Sequence, residues 1–329
     1  MRIESISYHL PNTELSNPQL LELFENFDVQ KLEQKVGIKS RRIASDDETA
    51  ADLAYHAGLK VLKEFDKSKI DFLIFCTQSP DYFLPSSSCI LQDKLGLSTH
   101  IGAFDFNLGC SGFVYGLSLA KGLISSKQAK NVLLLFGETY TKHIHPNDKA
   151  NRAIFGDAGS ACIISDSDEG DIGEFSFGTD GGGANNLIVK NGAFRAKNTN
   201  VNTYSYGSGN LTSDAHLYMN GPEVFNYTIE VIPDLIKETL AKNNVSSEDV
   251  DYFVFHQANK FMLNYLRKKT GIEKSKFLIS MENTGNTVSN TIPIVLSNFE
   301  KEGIIKRGNK ICIVGFGVGL SQAGTVITF

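Results

Sequence analysis

The chain has 329 residues and a mass of 36.1 kDa, with 41% hydrophobic and 21% charged residues. This length and composition exclude a small disulfide-stapled scaffold and a disordered or collagen-like chain. The net charge of −5 comes without a basic tail, so we expect no nucleic-acid partner.

The cysteines predict a reduced protein. Five are present, an odd number, and none forms a CxxC pair or a zinc-type cluster. They are Cys76, Cys89, Cys110, Cys162 and Cys312. The first residues lack a signal-peptide pattern, and no window of about 18 apolar residues could span a membrane. We therefore expect a soluble, cytoplasmic protein with no membrane partner.

Apolar runs alternate with helical patterns along the chain, which is typical of an α/β fold. The predicted strands cover residues 70–76, 131–137, 250–259 and 309–317, and helices at residues 50–65 and 224–242 precede the two pairs. The first two strands are continuous apolar runs, which predicts burial on both faces of a sheet.

The second half of the chain repeats the first. Asp71 matches Asp251 and Gly137 matches Gly315, and the separation along the chain is nearly the same for the two pairs. Such a constant offset indicates one fold used twice.

The turns between the strands extend this match. Residues 109–111 overlie residues 285–287 at a slightly smaller offset, which aligns Cys110 with Asn286. The polar stretch at residues 165–171 predicts the boundary between the halves.

Two halves are therefore expected, residues 1–165 and residues 166–329. The glycine-rich run at residues 179–186 and the polar region up to Asp214 predict a long ordered excursion, a type of segment that is often functional.

Cys110 follows a predicted strand and precedes a helical pattern rich in small residues. A helix N-terminus favours thiolate over thiol, which predicts a nucleophile. Taken alone, the residue is better explained as a small buried core cysteine.

His256 ends an apolar strand, where it could move a proton or donate to an anion, although a structural histidine fits as well. Asn286 lies in a loop before a helix whose first turn holds Pro293, and a simple turn role is the alternative.

Two other patterns are weaker. The glycines at residues 315–321 suggest a dinucleotide loop, but too few residues follow for a βαβ unit; their N–H groups could instead form an oxyanion site beside Cys110. His143 and His145 could bind a metal but lack a third ligand, so we expect a surface loop.

Four motifs together resemble those of β-ketoacyl-acyl-carrier-protein synthase III, a condensing enzyme with the thiolase fold. They are DFNLGCSGF around Cys110, HQAN at residues 256–259, NTGNT at residues 283–287 and GFGVGLS at residues 315–321. The motifs occur in the order and spacing of that family, and the resemblance covers essentially the whole chain. The resemblance implies an α/β fold with two βαβαβαββ halves in a five-layered αβαβα arrangement.

The resemblance also implies roles. Cys110 would take an acyl group from acyl-CoA or from an acyl carrier protein, and His256 and Asn286 would stabilise the enolate formed when malonyl-acyl carrier protein loses CO2. The N–H groups of Cys110 and of Gly317 or Val318 would hold the tetrahedral oxyanion. No metal or redox cofactor is implied.

Several positions depart from the family pattern. The chain has no Trp, and the positions that clasp the CoA adenine match Lys31 and Lys149. Phe261 and Asn226 stand where basic residues are usual, and Val318 replaces a loop glycine.

The candidate contacts for CoA and the carrier protein include both departing and matching positions. Those matching CoA or carrier-protein contacts are Lys31, Lys149, Asn259, Arg267, Lys268 and Lys269. Apart from the resemblance, the basic run at residues 267–269 is by default a solvated helix face. Leu84, ahead of Pro85, matches an acyl-pocket position that the partner subunit of a homodimer contributes.

The resemblance leads us to expect a homodimeric acyltransferase of fatty acid or related lipid biosynthesis. A secondary-metabolism enzyme with a different acyl acceptor and a thioester hydrolase are the alternatives. A non-enzymatic scaffold is disfavoured because all three catalytic positions are present.

Overall fold

The computed structural model describes residues 1–24, 29–198, 201–207 and 209–329, with the backbone alone for residues 29–32. Its strands are β1 (Arg2–His9), β2 (Thr13–Ser16), β3 (Ser40–Ile43), β4 (Phe72–Cys76), β5 (Gly102–Phe106), β6 (Asn131–Glu138), β7 (Ala158–Ser165), β8 (Asp171–Thr179), β9 (Leu187–Ile188), β10 (Thr203–Tyr206), β11 (Asn210–Ser213), β12 (Tyr218–Met219), β13 (Tyr252–Phe255), β14 (Phe277–Leu278), β15 (Lys310–Gly317) and β16 (Ser321–Thr328). Its α-helices are α1 (Asn17–Leu23), α2 (Val29–Val36), α3 (Ala50–Leu62), α4 (Ser87–Lys94), α5 (Gly112–Ser125), α6 (Lys149–Arg152), α7 (Gly221–Lys242), α8 (Lys260–Lys269) and α9 (Thr291–Lys301).

Two five-stranded sheets have the same topology. The first has the order β1-β7-β6-β4-β5 and the second, read from its opposite edge, β8-β16-β15-β13-β14. In each sheet the three strands at one end pair in parallel and the other two pairings are antiparallel. The predicted duplication is therefore confirmed.

The sheets and helices form five layers. Helix α3 covers the outer face of the first sheet, and α7 covers the outer face of the second. Helices α5 and α9 lie between the sheets and contact both of them. The largest apolar cluster fills this central layer and joins strands of both sheets, as expected for strands buried on both faces. The expected five-layered fold is confirmed.

Strand register corrects one predicted match. Phe72 pairs with Val132, and its equivalent Tyr252 pairs with Ile311, so the residue equivalent to Gly137 is Phe316 and not Gly315. A Cβ on Gly137 would meet Ala50 of outer helix α3, whereas a Cβ on Gly315 would meet Ser111 at inner helix α5. Because a slip of one residue reverses the face of a strand, the two glycines are not equivalent.

Helix caps correct a second match. Ser111 (φ −85°, ψ −9°) and Asn290 (φ −83°, ψ −10°) are the N-cap residues of α5 and α9, so the residue equivalent to Cys110 is Ser289. A 3₁₀ turn at Val288–Asn290 precedes α9. Asn286 therefore lies well before its cap, whereas Cys110 lies directly before its own, and the predicted equivalence of these two residues is wrong.

The predicted element boundaries hold to within a few residues. The strand expected at residues 250–259 ends at Phe255, and the helix expected from residue 224 begins at Gly221, where the Asn220 side chain caps it. No helix among the described residues is long and apolar enough to cross a membrane.

Candidate active site

The carboxyl ends of the parallel strands position the candidate residues. Cys110 lies in the turn after β5, His256 follows β13 directly, and Asn286 lies in the loop after β14. The backbone N–H of His256 continues the pairing of its strand by donating to the Val314 carbonyl at 2.8 Å. Carboxyl ends of parallel strands in an α/β fold are a frequent location of active sites.

Glycines let β15 approach the Cys110 turn closely. A Cβ on Gly315 would lie 2.9 Å from Ser111 Cα, and a Cβ on Gly317 would lie 2.7 Å from Cys110 Cβ. Real Cβ atoms do not come this close, so the glycines of the GFG sequence are needed for this contact. The reading of this segment as a dinucleotide loop is excluded, because β15 turns directly into antiparallel β16.

Cys110 is 6% exposed, and its thiol is neutral in the free protein. Burial raises the pKa of Cys110 to about 12, and the nearby Glu138 adds a smaller increase. Hydrogen bonds from the backbone of Val318 and Cys110 lower the pKa, but by less. The predicted shift toward thiolate at the helix N-terminus is therefore wrong for the free protein, because desolvation outweighs the stabilising N–H groups. The same two N–H groups point toward the sulfur.

His256 is 1% exposed, and burial lowers its pKa to about 3, so the imidazole is neutral. Its Nδ1 lies 2.8 Å from Thr291 Oγ1, which in turn lies 3.1 Å from the Val288 carbonyl oxygen. When the threonine hydroxyl donates to that carbonyl, Nδ1–H donates to Oγ1 and Nε2 carries a lone pair. When the hydroxyl rotates to donate to Nδ1, the proton resides on Nε2.

Asn286 is held from both sides. Its backbone N–H donates to the Ile154 carbonyl at 2.9 Å, and its carbonyl accepts from Gly156 N–H at 3.0 Å. Its side-chain Oδ1 accepts from Val288 N–H at 2.9 Å, which leaves the NH2 group as the donor. Val288 has φ +58°, a costly conformation for a β-branched residue, of about 1–3 kcal/mol.

One cavity brings the three predicted residues together. It has a volume of about 160 Å³, and its lining includes Cys110, His256, Asn286, Phe155 and Gly317. The surface of the cavity is mainly apolar, and its few polar groups converge, which is the usual composition of a small-molecule site.

The glycine-rich segment at residues 179–186 holds the turn beside Cys110. Asp180 N–H donates to the Leu320 carbonyl at 2.9 Å, and Leu320 N–H donates to the Asp180 carbonyl at 3.0 Å. A Cβ on Gly183 would lie 2.4 Å from Leu320 Cδ1. This segment therefore fixes the β15–β16 turn that carries Gly317.

The predicted CoA and carrier-protein contacts lie on or beside three helices, α2, α6 and α8. Asn259 lines the cavity and caps α8, where its Oδ1 accepts from Met262 N–H at 2.8 Å. Lys149 is the first residue of α6, and the Lys31 side chain lies outside the described residues.

Helix α8 carries the predicted basic run in its last turn. Lys268 and Lys269 are exposed, but the Arg267 guanidinium donates to the Ile272 carbonyl at 3.0 Å and is half-buried. Phe261 is 49% exposed, and the Lys35 ammonium lies 5.9 Å from its ring. The exposed face of α8, which carries Phe261, Lys268 and Lys269, is thus aromatic as well as basic.

The expected surface loop at His143 and His145 is only partly found. His143 belongs to a 3₁₀ helix, Tyr140–His143, and packs edge-on against Tyr140 with ring centroids 5.8 Å apart. In the described part of the chain, no three His, Cys, Asp or Glu side chains group as metal ligands.

Sequence reasoning missed Thr291, Glu138 and Gln78. Thr291 gave no signal, because its contact with His256 depends on the 3₁₀ turn before α9. Glu138 could have been found, since it is an acidic residue directly after the apolar run of the strand predicted at residues 131–137, and it is fully buried. A buried acid beside a candidate nucleophile is a recognised marker of a functional site.

Comparisons with known proteins find relatives from one enzyme family. Models of the 3-oxoacyl-[acyl-carrier-protein] synthase III family match residues 104–181, and models of its C-terminal region match residues 240–329. The chain is 35% identical to the β-ketoacyl-[acyl-carrier-protein] synthase III of Clostridium perfringens, over 97% of this chain and 96% of that protein.

Solved structures are similar over the whole chain. A crystal structure of a 3-oxoacyl-(acyl-carrier-protein) synthase III is 47% identical, with a TM-score of 0.97 over 99% of both chains. A 3-oxoacyl-(acyl-carrier protein) synthase from Burkholderia xenovorans is 34% identical, with a TM-score of 0.91 over 99% of this chain and 93% of the other. The chain therefore belongs to the β-ketoacyl-acyl-carrier-protein synthase III family and is a condensing acyltransferase of fatty acid biosynthesis.

Proposed function

We propose that Cys110 accepts an acyl group from an acyl-CoA and passes it to the carbanion of malonyl-acyl carrier protein, with His256 and Asn286 as the other catalytic residues. The observation that carries this proposal is the shared cavity of the three side chains, with the N–H groups of Cys110 and Val318 directed at the sulfur.

In the first step, the neutral thiol loses its proton as the sulfur attacks the thioester carbonyl. The Nε2 lone pair of His256 accepts this proton in the tautomer in which Nδ1–H donates to Thr291. The N–H groups of Cys110 and Val318, or Gly317, hold the tetrahedral oxyanion, each donor contributing about 3–4 kcal/mol. The carbon–sulfur bond to CoA then breaks, and the CoA thiolate recovers the proton from the imidazolium.

In the second step, the malonyl carboxylate leaves as CO2 and its electron pair forms a thioester enolate. After CoA leaves, His256 exchanges protons with water and takes up the tautomer in which the Thr291 hydroxyl donates to Nδ1 and Nε2 carries the proton. The Asn286 NH2 group and the His256 Nε2–H then both donate to the enolate oxygen. The carbanion attacks the acyl carbon, the carbon–sulfur bond to Cys110 breaks, and the released thiolate takes one proton from solvent, which balances the charge of the carboxylate lost as CO2. These steps require no metal or redox cofactor.

The apolar loop at residues 82–84 supports a homodimer in which the partner completes the acyl pocket. Tyr82, Phe83 and Leu84 are 62%, 71% and 82% exposed, and Leu84 does not line the cavity of its own chain. Consecutive exposed apolar side chains of this size are typical of an interface.

The aromatic and basic face of α8 supports docking of the carrier protein, with Lys268 and Lys269 as its cations and Asn259 at the cavity entrance. Lys149, and Lys31 by resemblance alone, remain our candidates for the CoA nucleotide. Five free thiols are consistent with a reducing cytoplasm.

We also propose that the halves divide between residues 165 and 166. β7, the last strand of the first sheet, ends at Ser165, and β8 of the second sheet begins at Asp171.

The test is intact-protein mass spectrometry after incubation with acetyl- to decanoyl-CoA, followed by malonyl-acyl carrier protein. We expect an acyl adduct on Cys110 that disappears on addition of the malonyl donor as a β-ketoacyl product forms. The control is Cys89→Ala, which removes the exposed thiol and should leave the adduct unchanged. Steady release of free acid without a malonyl donor would identify a hydrolase instead.

A further inference from the structure

We propose that Arg41, a buried residue of β3, is a positioning residue for Asn286. Its guanidinium holds the chain segment that fixes the Asn286 backbone, and it thereby places the Asn286 NH2 donor at the enolate oxygen. This inference rests on the proposed function, because it concerns how the proposed donor is held in place.

Arg41 is a fully buried charge without a counter-ion. It is 0% exposed, and burial lowers its pKa to about 10, so the guanidinium is still charged at neutral pH. None of the ion pairs found among the described residues includes Arg41. A buried charge of this kind is unfavourable, so its presence calls for a specific role.

The guanidinium joins three segments of the chain. Nη1 donates to the Leu15 carbonyl at 3.1 Å, and Nη2 donates to Asn17 Oδ1 and to the Ala153 carbonyl, both at 2.8 Å. Asn17 is itself fully buried, and its Nδ2 donates to the Ile38 carbonyl at 2.8 Å. Arg41 therefore fixes Ala153, the residue that follows α6, to β2 and α1.

The segment at residues 153–156 is the backbone partner of Asn286. The Ile154 carbonyl accepts from the Asn286 N–H at 2.9 Å, and the Gly156 N–H donates to the Asn286 carbonyl at 3.0 Å. An isolated parallel bridge joins Phe155, between them, to Asn286. Because the guanidinium holds the first residue of this segment, it also holds the partner that sets the position of Asn286.

The stem of Arg41 packs against the same contact. A Cβ on Gly156 would lie 3.1 Å from Arg41 Cβ, and a Cβ on Gly285 would lie 3.2 Å from it. Gly285 directly precedes Asn286, and a Cβ on it would also lie 2.7 Å from the Ile154 carbonyl oxygen. The side chain of Arg41 therefore lies against both of the segments that meet at Asn286, and a change at Arg41 reaches both.

The arrangement depends on the shape of the guanidinium as well as on its charge. The acceptors lie beside two separate nitrogens, Nη1 and Nη2. A lysine keeps the charge but carries all its donors on one nitrogen, so it cannot reach both the Leu15 and the Ala153 carbonyl in the same way. Arg41→Lys is therefore the informative substitution.

The test measures CO2 release from malonyl-acyl carrier protein, with kcat and KM determined separately, and acylation of Cys110 by acetyl-CoA on the same preparation. Arg41→Lys should lower kcat for CO2 release by roughly tenfold with little change in KM, because Asn286 acts on the enolate and not on the bound substrate. Acylation of Cys110 should change much less, and it also reports that the variant is folded. Arg41→Gln provides a second variant if the lysine variant does not fold.

The matched control is Arg42→Lys, the same change at the next residue of β3. The Arg42 side chain is partly exposed and donates to the Asn12 carbonyl at 3.1 Å, away from the segment at residues 153–156. Both rates should stay unchanged in this control.

The Asn286→Ala background separates an effect through Asn286 from a general loss of structure. When the NH2 group is already absent, Arg41→Lys should lower CO2 release by less than about twofold further, because changes that act through one group are not additive. A full further loss in this background would overturn the inference, and so would an unchanged kcat in a folded Arg41 variant. CO2 release by Asn286→Ala as fast as by the unmodified protein would instead contradict the proposed function.

Discussion

The two halves use one fold for opposite purposes. Cys76 and His256 occupy equivalent places, each four residues after the first paired residue of its strand. Cys76 Sγ donates to the Leu108 carbonyl at 3.0 Å and so supports the turn that carries Cys110. His256 faces the cavity instead, so the first half provides the nucleophile and the second provides the polar groups opposite it.

The difference shows how duplication produces an active site. Equivalent strand ends from the two sheets meet across the central helices, so two edges with different residues face one cavity. The extra 3₁₀ turn before α9 moves Asn286 away from its helix, while Cys110 stays close to α5. Substitutions at Cys110 in the first half, and at Asn286 and Thr291 in the second, should therefore have separable effects.

The largest effect is expected from Cys110→Ala, which removes the nucleophile. We expect the condensation rate to fall by at least about 10⁴-fold, as it does in other enzymes that lose a catalytic nucleophile. Measurement of β-ketoacyl product with acyl-CoA and malonyl-acyl carrier protein checks this, beside Cys89→Ala. An acyl adduct that persists on the alanine variant would contradict our assignment of the nucleophile.

The reactivity of Cys110 with iodoacetamide should depend steeply on pH. Because burial raises its pKa to about 12, the thiolate becomes abundant only as the pH rises toward that value. At pH 7 this leaves about 10³-fold less thiolate than a cysteine with the ordinary pKa of about 8.5. The labelling rate, followed by mass spectrometry, should climb through pH 6–10 without levelling; a plateau near pH 8 would disprove the neutral resting thiol.

Asn286→Asp should impair the second half-reaction alone. The change keeps the oxygen that accepts from Val288 N–H and replaces the NH2 donor with a negative charge, so decarboxylation of malonyl thioester should fall by about 10²–10³-fold. Acylation of Cys110 should change much less. Release of CO2 and adduct formation, measured on the same preparation with Asn12→Asp as the exposed control, check this split. Equal loss of both rates would show that the two edges are not separable.

Thr291→Val should have the smallest effect, because it removes the partner of His256 Nδ1 without removing His256. We expect condensation to fall by roughly tenfold and its pH profile to shift, since the hydroxyl no longer stabilises either tautomer. Thr291→Ser restores the hydroxyl and should recover most of the rate. A valine variant with an unchanged pH profile would exclude the positioning role of Thr291.

The sequence was sufficient for the architecture, and the resemblance of its motifs predicted that Cys110, His256 and Asn286 lie together, as they do in the cavity. Continuous apolar strands and their repeat predicted the duplicated sheet, because burial on both faces leaves a strong compositional signal. The predicted equivalences failed at Gly315 and Asn286, because register and an inserted turn depend on packing against α5 and α9. The prediction that Cys110 favours the thiolate also failed. The sequence indicates that a helix begins beside this residue, but it does not show that the thiol is completely buried.

The central helices carry a consequence for cooperativity. Helix α5 of the first half packs on β15 and β16 of the second, and α9 of the second half packs on β1 and β7 of the first. Each half therefore needs the other to cover its inner sheet face, and neither closes a core alone. Heating should unfold the protein in one transition, and the two halves produced as separate polypeptides should acquire structure only when they are combined.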